Sequence, residues 1–159
     1  FEEINIHEVT EHVASLIEAE VSGKLVVTRD YDPSIPDMSG DRTQLVQAVL
    51  NVSRNAMQAI LEAGLEQRQL TFKSRIQRSF TIAGQYHKAL CRLDIIDNGP
   101  GISDDIKERI FFPMISGRSA GTGLGLTIAQ SAINVHQGII ECESEPGHTC
   151  FSIYLPIKA

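Results

Sequence analysis

The sequence lacks paired cysteines, long apolar runs and tryptophan. Its three cysteines, Cys91, Cys142 and Cys150, are odd in number and show no C-x-x-C spacing. All three sit in strand-like apolar contexts, which predicts reduced, half-buried thiols of a cytoplasmic protein. No apolar run approaches the ~18 residues of a membrane span, and no signal peptide opens the chain. Basic excess is also missing, since the formal net charge is −6. A nucleic-acid surface usually carries a clustered positive excess. Arg68, Lys73, Arg75 and Arg78 do cluster, but no aromatic run accompanies them, so they read as the solvated face of strands. There is no internal repeat and no low-complexity tract.

What remains is an ordinary globular balance, with 42% hydrophobic and 21% charged residues over 159 positions. That suits one domain, 1–159, with enough apolar mass for a core. The first residue is Phe1 rather than Met, and the expectation is a piece of something longer.

Ile4 and Ile6 alternate with polar residues and predict a short edge strand. Val9, Val13, Leu16 and Ile17 recur at helical spacing, giving a helix over 7–20 that Gly23 ends. A strand from Leu25 runs out at Tyr31, and Pro33 and Pro36 make the next stretch a turn. A long helix follows from an N-cap at Asp41 to Gly64. Strands are expected over 69–82 and 87–96, around a turn at Ala83-Gly84-Gln85. The second is richer in apolar residues and should be central. Ser103 caps a short helix, 104–110. A loop of about ten residues leads to a glycine triplet, then comes a helix to His136. Strands 138–145 and 149–155 close the chain around Pro146-Gly147. Helices and antiparallel strands mix without a βαβ rhythm, which predicts an α+β two-layer sandwich.

Three features point to chemistry. The first is Gly121-Thr122-Gly123-Leu124-Gly125-Leu126. Glycines let backbone approach a ligand, and the helix that follows aims unpaired N–H groups and a positive dipole end at an anion, most often phosphate. A plain loop before a helix is the simpler reading of one glycine, but not of three in five residues. The second is Asn51 and Asn55, four apart on the long helix and so on one face. Asparagine is a poor helix-interior residue. The pair is either two satisfied buried amides or a polar face, and an amide oxygen suits Mg²⁺ when phosphates supply the other ligands. The third is Asp97, where the central strand meets a glycine-rich turn. Asp-Asn-Gly alone is often only a turn. A carboxylate there can also accept from the exocyclic amine of adenine, whereas guanine presents a carbonyl and is repelled.

Asn51-x-x-x-Asn55-Ala56, Asp97-x-Gly99-x-Gly101, Phe111-Phe112-Pro113 and Gly121-x-Gly123-x-Gly125 resemble, in order and spacing, the N, G1, F and G2 boxes of the histidine kinase ATP-binding domain. That family shares a superfamily with gyrase, Hsp90 and MutL. The resemblance covers nearly the whole chain. Further details are similar to nitrogen-regulation sensor kinases of the NtrB subfamily: Asp30-Tyr31-Asp32-Pro33-Ser34, the run Phe112 to Arg118, Pro146-Gly147-His148-Thr149 and Tyr154-Leu155-Pro156.

The resemblance implies a Bergerat-type fold: a mixed, mostly antiparallel sheet covered on one face by helices, with an ATP lid over about 102–120. It implies ATP and Mg²⁺ as cofactors. Asn55 would be the Mg²⁺ ligand, and Asp97 would read the adenine amine. Gly99 and Gly101 would let the chain pass close to the base. Gly121, Thr122, Gly123, Leu124 and Gly125 would wrap the phosphates, Thr149 would place a hydroxyl near the adenine and bridged to it by water, and Arg118 would neutralise the γ-phosphate. A solvent-exposed lid arginine is the alternative for Arg118. Two departures stand out. Many kinases of this family carry a lysine three residues after the Mg²⁺ asparagine, where this chain has Gln58, so either Arg118 or Arg54 supplies the charge or phosphate binding is weaker. The superfamily's ATPases place a glutamate at Asn51; without it water loses its general base, and transfer to a protein acceptor is favoured.

None of the five histidines, His7, His12, His87, His136 and His148, completes the phosphoacceptor motif. His7-Glu8 begins like one but lacks the proline expected later. As H-E-x-x-x-H it also fails as a zinc motif, because five residues rotate a helix by about 500°, so the rings diverge by roughly 140°. The acceptor is expected on a preceding dimerisation domain. By resemblance, the further partners would be an NtrC-like response regulator and a PII signalling protein, with no nucleic acid and no membrane span. The rival readings are a self-contained ATPase of the gyrase, Hsp90 or MutL type and a non-catalytic nucleotide-sensing module. A Rossmann domain fits poorly, because the triplet is not G-x-G-x-x-G and no strand leads into it.

Overall fold

The computed structural model describes residues 1–107 and 122–157. Phe111, Phe112, Pro113, Arg118, Gly121 and most of the expected lid lie outside the described residues.

The long helices start where a side chain can satisfy their first N–H groups. α1 (Ile6–Val21) is capped by Asn5, whose side chain accepts from His7 N at 2.9 Å. Ile6, Val9, Val13, Ile17 and Val21 form its buried stripe, and it ends on left-handed Ser22 and Gly23. α2 (Arg42–Glu62) begins as expected at Asp41, which accepts from Gln44 N at 3.1 Å. A cap of this kind is worth about 1 kcal/mol. His136 holds this corner as well, since its Nε2 accepts from Asp41 N at 2.9 Å. Nδ1 therefore carries the proton and donates to Ala132 O at 2.7 Å.

The strands are β1 (Glu2–Ile4), β2 (Val26–Asp30), β3 (Met38–Gly40), β4 (Gln69–Ile82), β5 (Gln85–Asp97), β6 (Ile139–Glu145) and β7 (His148–Pro156). A short helix, α3 (Asp104–Lys107), and α4 (Thr122–Val135) complete the described elements. Two strand expectations change. Ile6 belongs to α1 rather than to the edge strand, because Asn5 caps the helix there. The proline-rich stretch after Tyr31 yields β3, which pairs antiparallel with β1 and buries Met38 against Ile4.

The main sheet has the order β2-β4-β5-β7-β6, antiparallel except for β2 on β4. β5 is central, as its composition predicts. The β4–β5 hairpin turns at Ala83 and Gly84, both with positive φ, as a two-residue turn requires. α1, α2 and α4 lie on one face, with α2 between the other two and against β4 and β5. This is the two-layer α+β sandwich expected.

The helix-facing side of the sheet is laid down in cross-strand rows. Ser74, Leu93, Ile153 and Ile140 form one row across β4, β5, β7 and β6, and Phe72, Ile95, Phe151 and Cys142 form the next. Residues of one parity share a face, so the row after these is Leu70, Asp97, Thr149 and Ser144. The core thus becomes polar at one end of the sheet. The cysteines are inert parts of this packing. Burial pushes the Cys91 and Cys142 thiols up to about 12 and raises that of Cys150, so thiolate is scarce.

At the opposite end, Ser74 clasps α1. Its Oγ accepts from Asp32 N at 2.9 Å and contacts His7 Nε2 at 2.8 Å, while His7 stacks on Tyr31. Asp32 Oδ1 holds Ser34 N and Oγ, so the Asp-Tyr-Asp-Pro-Ser run is a structural turn. Ser74 Oγ, already accepting from Asp32 N, can give its own proton to a neutral Nε2. Burial lowers the His7 pKa below its ordinary 6.5, outweighing the pull of Asp32 and Glu11. A base depressed by folding contributes stability that is full above its unfolded pKa and lost as pH falls through the folded one. Wild type should therefore lose more stability than His7→Gln between pH 7.5 and 5.5, measured as urea midpoints. Parallel pH slopes would refute this.

Candidate functional site

Asp97 is the last residue of β5 and lies in the polar row, only 3% exposed. A buried carboxylate needs donors. Gly99 N supplies one, donating to Oδ1 at 2.9 Å. The turn can fold back this tightly only without a side chain at Gly99, where a Cβ would stand 2.9 Å from the same Oδ1. That Cβ position is also 3.6 Å from Ala59, so α2 packs directly on the turn.

The contact at Ala59 fixes where Asn55 lies. One helical turn earlier on the same face, Asn55 is 6% exposed and turns Nδ2 to Asn51 O at 2.9 Å. Its amide is therefore oriented with Oδ1 on the other side. Asn51 is half-buried and contributes its backbone carbonyl to this contact. Asn55 thus lies one helical turn from Ala59, the α2 residue packed on the Gly99 turn beside Asp97.

Gly101 marks the exit from the turn, with φ +91°. A Cβ there would stand 2.8 Å from Glu145 O. Gly147 N donates to Gly99 O at 3.0 Å, so the turn after β5 rests on the turn between β6 and β7. Pro100, Gly101 and Ile102, with Ser144, Glu145 and Pro146, line an open cleft of about 330 Å³. Thr149, 2% exposed, sits beside Asp97 in the row, and its Oγ1 is 2.7 Å from Ser144 Oγ. Ser144 was not among the expected site residues. Only its even spacing with Ile140 and Cys142 marks its face, and a lone serine in a strand carries no other signal.

Other expected residues are placed differently. The glycine triplet is not simply a loop before a helix. α4 begins at Thr122, so Thr122, Gly123, Leu124 and Gly125 form its first turn. Leu126, Ala129 and Ile133 bury one face and carry the helix back through glycines that would each cost it about 1 kcal/mol. The first turn of any helix carries N–H groups without intrahelical partners, which an anion can satisfy. Arg54 does not turn to the polar row, because Nε and Nη2 bond Glu20 Oε1 at 3.1 and 2.7 Å. Gln58, one turn after Asn55, has a buried Oε1 with no hydrogen-bond partner among the described residues. Such an orphan acceptor in a native site calls for a donor, water or ion.

The residues present fit a nucleotide with a hard cation. They offer amide oxygens, a buried carboxylate, a hydroxyl and a glycine-rich turn with a helix start. No group of three or more His, Cys, Asp or Glu side chains among the described residues could hold a metal ion alone. Mg²⁺ needs no such cage when phosphates and waters complete its shell.

A helix-covered mixed sheet that ends in a polar row beneath a glycine-rich turn defines a nucleotide-binding domain of the ATPase kind. The chain belongs to the family of histidine kinase-, DNA gyrase B- and HSP90-like ATPases, whose pattern matches residues 40–159. It is 45% identical over 97% of its length to the sensory histidine kinase/phosphatase NtrB of Klebsiella oxytoca, covering 43% of that protein. With NtrB of Rhodobacter capsulatus it shares 38% identity over 97% of its length, again covering 43%. The chain thus spans about two fifths of the length of these curated relatives. Among solved structures, a nucleotide-free catalytic domain of the histidine kinase ThkA superposes with a TM-score of 0.81 and 26% identity, covering 99% of this chain and 95% of that one. No helix among the described residues is long and apolar enough to cross a membrane.

The Gly101 geometry gives a test at the start of the expected lid. Gly101→Ala should cost roughly 1–2 kcal/mol from left-handed backbone alone, with the Glu145 contact adding to it. Thermal melts with and without ATP should show a lower midpoint and a smaller nucleotide-induced rise. An unchanged melt would contradict the close approach.

Proposed function

We propose that this chain binds Mg·ATP at the polar end of its sandwich and presents the γ-phosphate to a histidine on a separate dimerisation domain. The observation that carries this reading is the buried Asp97 carboxylate, set by Gly99 N–H and facing the α2 surface that holds Asn55. Asp97 accepts from the adenine amine, and Thr149 adds a hydroxyl beside it. Gly99 and Gly101 keep side chains out of the path of the base. Asn55 holds Mg²⁺ through Oδ1; when bound, the ion offsets charge on the phosphates. Gly121, Thr122, Gly123, Leu124 and Gly125 cradle the phosphates with backbone N–H groups, and Arg118 supplies the cation that Gln58 and Arg54 do not.

Phosphoryl transfer needs positioning and charge neutralisation more than covalent help. Asn51 offers no basic carboxylate, so water is a poor acceptor and a protein histidine is the better one. The similarity to NtrB supports a cytoplasmic role in nitrogen regulation. The receiving aspartate would lie on an NtrC-like response regulator, and a PII signalling protein would be a further partner. Both belong to the whole protein rather than to this chain.

Asp97→Asn replaces the acceptor by an amide and should weaken ATP binding roughly 10- to 100-fold, the equivalent of about 1.5–3 kcal/mol for a charged hydrogen bond. Calorimetry checks this, with circular dichroism to show the fold retained; wild-type affinity would sink the adenine assignment. Asn55→Ala should abolish the Mg²⁺ dependence of binding, and an unaltered metal titration would remove that role. Rapid steady-state phosphate release by the chain alone would favour the self-contained ATPase. Supplying a separate acceptor domain and radiolabelled ATP distinguishes a kinase from a nucleotide sensor, because only a kinase labels the acceptor histidine.

A further inference from the structure

We infer that Ser144 is a positioning residue: it fixes Thr149 as a hydrogen-bond donor beside Asp97 and ties that hydroxyl to the backbone at the start of the lid. The inference rests on the reading of Asp97 as the adenine contact. Ser144 Oγ accepts from Ile102 N at 2.8 Å and lies 2.7 Å from Thr149 Oγ1. A hydroxyl has one proton. The Ile102 N–H takes one lone pair of Ser144 Oγ; the Ser144–Thr149 contact admits either direction, and in the arrangement inferred here Ser144 gives its proton to Thr149 Oγ1. Thr149 has then accepted, and its own proton is directed outward as a donor. The sheet register places Thr149 opposite Asp97. A fixed donor next to a carboxylate acceptor matches the acceptor–donor edge of adenine, N1 and N6–H. Guanine offers N1–H and O6 at the same positions and meets a mismatch at both.

Ile102 is the other end of the chain of bonds. It follows Gly101, whose positive φ swings the backbone over Glu145. The Ile102 N–H is one of the last backbone groups anchored before the expected lid. Base recognition and the near end of the lid therefore share one hydroxyl. Ser144 is half-buried and touches no reacting atom in this scheme, so it acts through Thr149 and Ile102.

The test compares wild type with Ser144→Ala and Ser144→Thr, using Mg·ATP and Mg·GTP as ligands. Ser144→Ala frees the Thr149 rotor, so the ratio of ATP to GTP affinity should fall about tenfold. Ser144→Thr keeps a hydroxyl and should restore the ratio. Hydrogen exchange at the Ile102 amide, in the nucleotide-free chain, should lose protection in Ser144→Ala and regain it in Ser144→Thr. A ratio within twofold of wild type in Ser144→Ala overturns the inference while leaving the adenine reading intact. A wild type with no preference for ATP over GTP overturns both. If Ser144→Ala fails to fold, the exchange rate of Ile102 in wild type decides, because protection no greater than that of exposed loop amides overturns the link.

Discussion

A buried carboxylate cannot stand unsolvated, and the hydrogen bond from Gly99 N–H to Asp97 Oδ1 is the condition on which the rest of the site depends. It forces the backbone to reverse immediately after the central strand. The reversal excludes a Cβ at Gly99 and lets Ala59 of α2 approach. The approach of Ala59 fixes the rotation of α2, and that rotation brings Asn55 to the same end of the sandwich. The turn then needs support from below, which Gly147 N and Ser144 Oγ provide from β6, β7 and their connection. One buried carboxylate thus orders four elements.

The same dependence explains why the site lies at the end of the sheet. The rows Ser74–Leu93–Ile153–Ile140 and Phe72–Ile95–Phe151–Cys142 are largely apolar, and α1, α2 and α4 cover them. The next row holds Asp97, Thr149 and Ser144 in place of apolar side chains. Dispersion and hydrophobic contact hold the sandwich together up to that row. From there hydrogen bonds take over, and they leave directional groups that can be matched by a ligand. Stability and recognition are consecutive layers of one core.

Much of this was legible from residue pattern. Asp41 as an N-cap, the centrality of 87–96 and the hairpin at Ala83-Gly84 follow from local rules, and each is found in place. Asn55 is marked because asparagine is a poor helix-interior residue, and Asp97 because it stands where the central strand meets a glycine-rich turn. β3 was hidden, because Pro33 and Pro36 signal a turn while its three residues are held only by pairing with β1. Asn5 was hidden because capping depends on one backbone angle. Ser144 was hidden for a deeper reason. Its role comes from a register across β5, β7 and β6 that no local pattern encodes. The N-terminal start of α4 at Thr122 went against the glycine signal, because burial of Leu126, Ala129 and Ile133 outweighs the low helix propensity of its first turn.

What the described site lacks in charge bears on its chemistry. Gln58 carries no charge, and the guanidinium of Arg54 is held by Glu20 on the α1–α2 seam. Asp97 is engaged with Gly99, and Asn51 presents an amide. Among the described residues of this site there is neither a cation for the phosphates nor a basic carboxylate for water. A site so composed can grip a base and a metal while remaining poor at hydrolysis. On the proposed reading its charge comes from Arg118 and its nucleophile from a separate acceptor domain. That division suits a kinase that should hold ATP until its acceptor arrives, because an efficient general base beside the γ-phosphate would spend the nucleotide on water first.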